Sequence, residues 1–222
     1  MGMAFVEQGL LDRAETEFMT ALDYVGEYPD AVFGLGIIFM ARQSWGDAEE
    51  FFLTFMEDEP TDSRGPLELS RLYLARTEYT EALDMAQWAH DLSPDNPEIW
   101  MQMAVTAMAA GDTSLAETWL NRTIDSDLLR EWEARVLLAH LHRCRGLESQ
   151  ARELLLPASS SGYPPALWML ARIYLGWGDN MRAVDNIRTY LSVAPCGEMA
   201  DSAILILDEL AGSGDYIPPD MP

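Results

Sequence analysis

Three side chains of the kinds that bind metal ions lie close together in the sequence, at His140, His142 and Cys144. If this segment is helical, His140 and Cys144 lie one turn apart on the same face, and His142 points away from them. A structural zinc site needs four ligands in a tetrahedral arrangement, so this segment alone cannot complete one. A metal-binding protein or an enzyme that uses His140 and Cys144 is one hypothesis. In the other, His140 lines a binding surface and His142 packs.

Other catalytic patterns are missing from the sequence. It contains no Gly-rich phosphate loop, no Gly-x-Ser-x-Gly turn and no paired metal motif. Acidic runs such as Glu49-Glu50 and Glu57-Asp58-Glu59 are typical of solvated helix surfaces. We therefore predict a protein that is not an enzyme and needs no cofactor.

The charge of the chain is strongly negative. Its 222 residues include 37 acidic and 14 basic side chains, which gives a net charge of -23 at pH 7, and every basic residue is arginine. Such a field repels nucleic acids and anionic membrane surfaces and attracts basic segments. The expected partner is another protein, through an apolar segment that basic residues flank. The alternative is that the acidity serves only solubility or tolerance of high salt.

The sequence also limits where the protein works. No apolar run approaches the roughly 20 residues that span a bilayer, and the segment 1–11 has no basic region and contains Glu7, unlike a secretory signal. Cys144 and Cys196 are far apart and form no C-x-x-C motif, so a disulfide framework is not expected. These features predict a cytoplasmic protein that does not insert into membranes.

Residues 164–195 show most clearly the element that the chain repeats. Apolar residues recur at helical spacing from Leu167 to Tyr174, Gly178 breaks this helix, and Pro195 closes a second one. A small alanine early in the second helix recurs along the chain at intervals of 34, 34, 34, 35 and 32 residues, at Ala14, Ala48, Ala82, Ala116, Ala151 and Ala183. A fixed period of this length indicates stacked helix pairs.

This pattern resembles the tetratricopeptide-repeat (TPR) family. In the second repeat, Gly36, Phe39, Ala48, Phe52 and Pro60 match the family pattern. The later repeats match through Tyr73, Ala82, Ala89 and Pro94; Trp100, Ala104, Gly111 and Ala116; Ala139, Gly146 and Ala151; and Ala171, Tyr174, Gly178, Ala183 and Pro195. The resemblance implies an all-α fold, a right-handed superhelical solenoid of antiparallel helix pairs that binds other proteins.

The resemblance also implies a domain organisation. Residues 1–197 hold six helix pairs, 198–211 form a capping helix, and 212–222 are expected to be disordered. The first pair lacks its opening turn, so its apolar surface is expected to be uncapped. In that case the chain is part of a longer array, or it is a structural subunit that self-assembles through this end. Pro157 is predicted to end a helix early, with a loop over 158–165.

A binding groove is expected along the first helix of each pair, because solenoids of this family bind partners on their concave face. One stripe at spacing i, i+4, i+7 follows the packing residues of those helices. It consists of Phe33, Ile37 and Met40; Leu67, Arg71 and Leu74; Met101, Val105 and Met108; Val136, His140 and Arg143; and Trp168, Arg172 and Leu175. The alternative is that neighbouring first helices bury these side chains against each other.

The stripe is apolar and rich in methionine, whose flexible thioether adapts to varied surfaces. It predicts a protein-interaction scaffold or chaperone-like adaptor that holds a hydrophobic or amphipathic segment of a partner. Arg71, Arg143 and Arg172 would add polar or carboxylate contacts. Family members that bind heat-shock chaperones grip a terminal carboxylate with Lys and Asn, and that clamp is not present here. The acidic charge and apolar groove are more similar to the secretion chaperones of the family.

Overall fold

The computed structural model describes residues 2–26, 28–126 and 130–213, and every regular element in these ranges is a helix. The predicted all-α class is confirmed. The helices are α1 (Gly2–Glu7), α2 (Leu11–Val25), α3 (Pro29–Ala41), α4 (Trp45–Asp58), α5 (Arg64–Ala75), α6 (Tyr79–Leu92), α7 (Pro97–Ala109), α8 (Thr113–Asp125), α9 (Glu131–Cys144), α10 (Glu148–Ser160), α11 (Pro164–Gly176), α12 (Asn180–Val193) and α13 (Ala200–Ser213). None of these described helices combines the length and apolarity that crossing a bilayer demands.

The chain divides into two compact units. Unit 1 is Met1–Trp119 and unit 2 is Leu120–Pro222, so the boundary falls within α8. In unit 1, α1 packs on α2, α3 on α4 and α5 on α6, and in unit 2, α9 packs on α10 and α11 on α12. Each unit is therefore built from successive helix hairpins, as the repeat predicts.

The turn inside each hairpin contains one residue with positive φ. These residues are Gly9 (72°), Gln43 (60°), Thr77 (61°), Gly111 (82°), Gly146 (75°) and Gly178 (73°). Glycine adopts this left-handed conformation without a steric penalty, whereas glutamine and threonine do not. The turn geometry is therefore common to the hairpins, although the glycine is not.

Side-chain caps mark several helix starts. The side chain of Asn96 accepts a hydrogen bond from the N–H of Glu98 at the start of α7. Asp112 and Asp179 accept corresponding bonds at α8 and α12. These caps satisfy N–H groups that have no partner inside the helix.

The core of unit 1 depends on aromatic rings that lie against glycine backbone. A Cβ atom added to Gly34 would lie 2.3 Å from Cζ of Phe18, and one added to Gly36 would lie 2.6 Å from Cε1 of Phe52. The repeat alanines Ala14 and Ala48 are fully buried beside these rings. Small residues thus let helices approach closely within a hairpin, as between α3 and α4, and between neighbouring hairpins, as between α2 and α3.

Unit 2 corrects the prediction at Pro157. Helix α10 runs from Glu148 to Ser160, so Pro157 lies inside it and the predicted loop over 158–165 is reduced to the turn before α11. A proline in the last turn removes one helical N–H donor. The helix still continues, because the residues next to the proline keep their own N–H donors. The N–H of Ser161 donates to the Pro157 carbonyl at 3.2 Å, and Ala158 is fully buried.

Helix α13 lies where the capping helix is predicted, beginning at Ala200 rather than Glu198. It packs against α12, and Ala203 is fully buried in the same cluster as Ile187. The predicted tail begins inside this helix, which extends to Ser213. The remainder of the predicted disordered tail, residues 214–222, lies outside the described residues.

Candidate functional site

The predicted groove residues do not form a uniform surface, because Phe33, Leu67 and Met101 are buried. The Phe33 ring packs 5.0 Å from that of Phe55, and the Arg64 guanidinium covers it at 5.0 Å from the ring centroid. Phe33 is 8% exposed, Leu67 5% and Met101 2%. The groove prediction is therefore corrected at these positions, where the alternative of burial holds.

Arg71 also differs from the prediction, because carboxylates of the chain itself already bind it. Its guanidinium pairs with Glu68, and its Nη2 donates to Oε1 of Glu98 at 2.6 Å. Glu68 is only 8% exposed. Its burial raises the pKa of Glu68, Arg71 opposes the rise, and the charge of Glu98 adds to it. Arg71 is a structural bridge between α5 and α7 rather than a free contact for a partner.

The other predicted positions of unit 1 remain at the surface in part. Ile37, Met40, Leu74, Val105 and Met108 are each half-buried. Ile37 and Met40 also pack against the core cluster that contains Phe52. This part of the stripe is apolar surface at the edge of the core.

Unit 2 contains a cleft of about 590 Å³, which we call the unit 2 cleft. It brings together Val136, His140 and Arg143 from α9 with Trp168 and Arg172 from α11, all of them predicted groove residues. Leu175 is half-buried and packs against the core instead. The remaining lining residues are Cys144, Pro164, Pro165, Met169, Tyr190, Ala194, Gly197, Glu198 and Met199.

One half of the unit 2 cleft is aromatic and aliphatic. The rings of Trp168 and Tyr190 pack with centroids 5.9 Å apart at an interplanar angle of 46°. The N–H of Met199 donates to the Tyr190 hydroxyl at 3.1 Å, which fixes the segment that leads into α13. Gly197 lies so close that an added Cβ would be 2.5 Å from the same hydroxyl. Tyr190 thus contacts both the Trp168 ring and the segment 197–199 at the edge of the cleft.

The other half of the unit 2 cleft is basic. Arg143 and Arg172 line it, and neither forms an ion pair with any residue in the described ranges. The buried Nε of Arg143 has no hydrogen-bond partner there. His140 lies beside them, and its Nε2 is 3.7 Å from Sγ of Cys144. Glu198 is the one acidic residue among the described residues that line the cleft.

The histidine and cysteine positions do not extend to a larger ligand set. Across 2–26, 28–126 and 130–213, no group of three or more His, Cys, Asp and Glu side chains is placed to hold a metal ion. His140 and Cys144 alone supply too few ligands for a tetrahedral zinc site. Both cysteines have free thiols.

Sequence reasoning missed the residues that close the cleft from α12 and from the segment before α13. Tyr190 belongs to a repeat anchor series, two turns after Ala183, and that series could have indicated it. Gly197, Glu198 and Met199 follow the last repeat, so no repeat position indicates them. The N–H of Gly197 donates to the Ala194 carbonyl and that of Met199 to the Tyr190 hydroxyl, and these bonds hold the segment at the cleft.

Two family models match this sequence, and both describe the same repeat. Models of the tetratricopeptide repeat match residues 1–60 and 73–134, together more than half of the chain. No curated protein matches in a sequence search.

Solved structures share the fold at low sequence identity. PilF of Pseudomonas aeruginosa is 14% identical with a TM-score of 0.73, over 92% of this chain and 94% of that one. PilW, a widely conserved type IV pilus biogenesis factor, is 16% identical with a TM-score of 0.66, over 86% and 95%. YrrB, a TPR protein with an unusual peptide-binding site, is 16% identical with a TM-score of 0.57, over 85% and 97%. These similarities concern the fold alone.

Proposed function

Because the chain belongs to the tetratricopeptide-repeat family, we propose that it is a non-catalytic, chaperone-like scaffold that binds an apolar or amphipathic segment of another protein in the unit 2 cleft. The fold class supports protein binding in general. The observation that carries the narrower proposal is the half-buried Trp168 ring in the cleft, which packs against Tyr190, itself only 4% exposed.

The size and chemistry of the cleft support this occupant. Its volume of about 590 Å³ is in the range of ligand sites. Pro164, Met169 and Met199 join the two rings, so its walls offer apolar area together with flexible thioethers. Aromatic and methionine side chains are typical of the central part of protein interfaces. Trp168, Met169 and Met199 are half-buried here, whereas Tyr190 is only 4% exposed and supports the Trp168 ring.

Selection of peptides tests the proposal. Random peptides displayed on phage are selected against the full chain, and the affinities of the selected peptides are measured by fluorescence anisotropy. We expect Trp168→Ala to weaken binding at least about tenfold, because it removes the aromatic wall. Trp88→Ala is the matched control, since Trp88 is 42% exposed on α6 in unit 1.

A second variant guards against loss of structure in Trp168→Ala. Pro165 is exposed at the start of α11 and lines the cleft, so Pro165→Glu adds a charge to the apolar half without opening the core. We expect this variant to keep the unfolding midpoint and to lose affinity. Unchanged affinity in both variants would reject the unit 2 cleft as the binding site.

A further inference from the structure

From the two arginines of the unit 2 cleft, we infer the chemistry of its occupant: a partner segment with aspartate or glutamate side chains next to a large apolar anchor. The anchor packs on Trp168, and the carboxylates contact Arg143 and Arg172. This inference rests on the proposed function, and it adds the charge of the segment.

Arg143 and Arg172 differ from most arginines of the described residues, which pair with a carboxylate of the chain itself. In unit 1, Arg42 bridges two carboxylates, at distances of 2.6 and 2.8 Å, and Arg76 bridges two at 2.8 Å each. Arg64 also contacts two carboxylates. In the part of the chain that the structure describes, Arg143 and Arg172 have none, although the net charge is -23. Two cations in one cleft of so acidic a protein favour an acidic ligand.

The apolar and basic residues of the cleft follow one another in order along α11. Pro164 begins α11, Trp168 follows one turn later, and Arg172 follows one turn after that. Arg143 lies in the last turn of α9. The Trp168–Tyr190 contact places the end of α12 against the apolar half. The cleft thus changes from apolar to basic along one direction, which suits an anchor followed by carboxylates.

The charges in the cleft do not suit a basic partner segment. Glu198 lines the cleft, but within the described residues it forms no ion pair with Arg143 or Arg172. The overall negative field attracts basic segments to the surface of the protein. Inside the cleft, however, a basic side chain would meet Arg143 and Arg172, and like charges at close range are unfavourable. Basic flanks therefore belong outside the cleft.

Two phage libraries test the inference on the full chain. Both randomise an apolar core among Trp, Phe, Leu, Ile and Met. Flanking positions are Asp, Glu, Ser or Gly in one library and Lys, Arg, Ser or Gly in the other. Selected peptides are synthesised with acetylated and amidated ends, so terminal charges do not contribute. We expect enrichment from the acidic library alone, and a loss of affinity of about fivefold or more in the double variant Arg143→Gln/Arg172→Gln.

The matched control is Arg13→Gln/Arg182→Gln, which makes the same change in net charge outside the cleft and should keep the affinity. Equal or greater enrichment from the basic library, with Trp168→Ala still abolishing binding, would overturn the acidic segment and leave the proposed function standing. If neither library yields a peptide that binds the wild type more tightly than Trp168→Ala, both the acidic segment and the proposed function are overturned.

Two further measurements separate other occupants. If the end of this chain fills the cleft, the full-length variant Tyr216→Ser/Ile217→Ser will bind the acidic peptide several-fold more tightly, which would overturn an external partner. If a second copy fills it, light scattering will show a dimer that Trp168→Ala dissociates, and this too would overturn the inference. If Tyr216→Ser/Ile217→Ser leaves the affinity for the acidic peptide unchanged and light scattering shows a monomer, the inference of an external acidic segment is supported.

Discussion

The rings of Trp168 on α11 and Tyr190 on α12 lie in contact, with centroids 5.9 Å apart. This contact joins the first and second helices of the last hairpin and builds the apolar wall of the unit 2 cleft. The Tyr190 hydroxyl also accepts the N–H of Met199 at 3.1 Å. One side chain therefore couples the cleft to the segment that leads into α13.

The first prediction concerns that hydroxyl. Tyr190→Phe keeps the ring and removes the acceptor for the Met199 N–H, so we expect the free energy of unfolding to fall by about 1 kcal/mol. Urea unfolding monitored by circular dichroism measures the change. Tyr24→Phe is the control, because Tyr24 is 87% exposed and should change nothing. Equal stabilities of the two variants would contradict the role of the hydroxyl.

The second prediction concerns the contact between Phe18 and Gly34. Gly34→Ala would place a Cβ 2.3 Å from Cζ of the Phe18 ring, and Gly2 also lies against that ring. We expect a loss of about 2 to 3 kcal/mol, because an overpacked core must shift. Gly46→Ala, where no atom lies within 4 Å, should be neutral or stabilise by up to about 1 kcal/mol. Thermal unfolding compares them, and a neutral Gly34→Ala would contradict the packing.

The third prediction concerns the turn position that has positive φ in each hairpin. Thr77 has a φ of 61°, a conformation that costs a β-branched residue free energy. Thr77→Gly should raise the free energy of unfolding by about 1 kcal/mol. The reverse change at the equivalent turn, Gly111→Thr, should lower it by a similar amount, since no neighbour lies within 4 Å and only the backbone is affected. Chemical unfolding of both variants tests the pair, and shifts of the same sign would contradict the explanation.

The fourth prediction concerns pH and Glu68. Its pKa is raised in the folded protein, chiefly by burial, so the unfolded chain releases this proton at a lower pH than the folded protein does. Stability from this group is therefore complete below the unfolded pKa and declines as pH rises towards the folded value. Glu68→Gln lacks this decline, and Arg71 keeps Glu98 as a partner.

We therefore expect the stability of Glu68→Gln relative to the wild type to increase as the pH is raised above the ordinary pKa of a glutamate. Urea unfolding at several pH values above the isoelectric point, which is near 4.2, gives the comparison. Glu50→Gln serves as the control on an exposed residue of α4. A relative stability that stays constant or decreases with pH would contradict the raised pKa.

Most of the fold follows from the sequence, because the repeat places the same residue types at the same helical positions. The anchors Ala48 and Ala183 are fully buried, and Phe52 and Ile187 lie beside them in the interior. Periodicity predicts such positions since each helix face buries what recurs every turn. Pro157 was mispredicted because local propensity alone does not determine where a helix ends.

The candidate site follows from the sequence only in part. Trp168 and Arg172 share a face of α11, so local spacing suffices to group them. The burial of Phe33 depends on Arg64, and the pairing of Arg71 depends on Glu98, both from later elements of the chain. Such contacts are set by tertiary packing, which a helical stripe does not record.

The most direct test of the cleft is the indole N–H signal of Trp168 in a heteronuclear NMR spectrum of the full chain, assigned with Trp168→Phe. A selected acidic peptide is added stepwise. We expect the Trp168 signal to shift saturably while that of Trp88, exposed on α6, stays in place. A saturable shift of Trp88 with an unmoved Trp168 would contradict it.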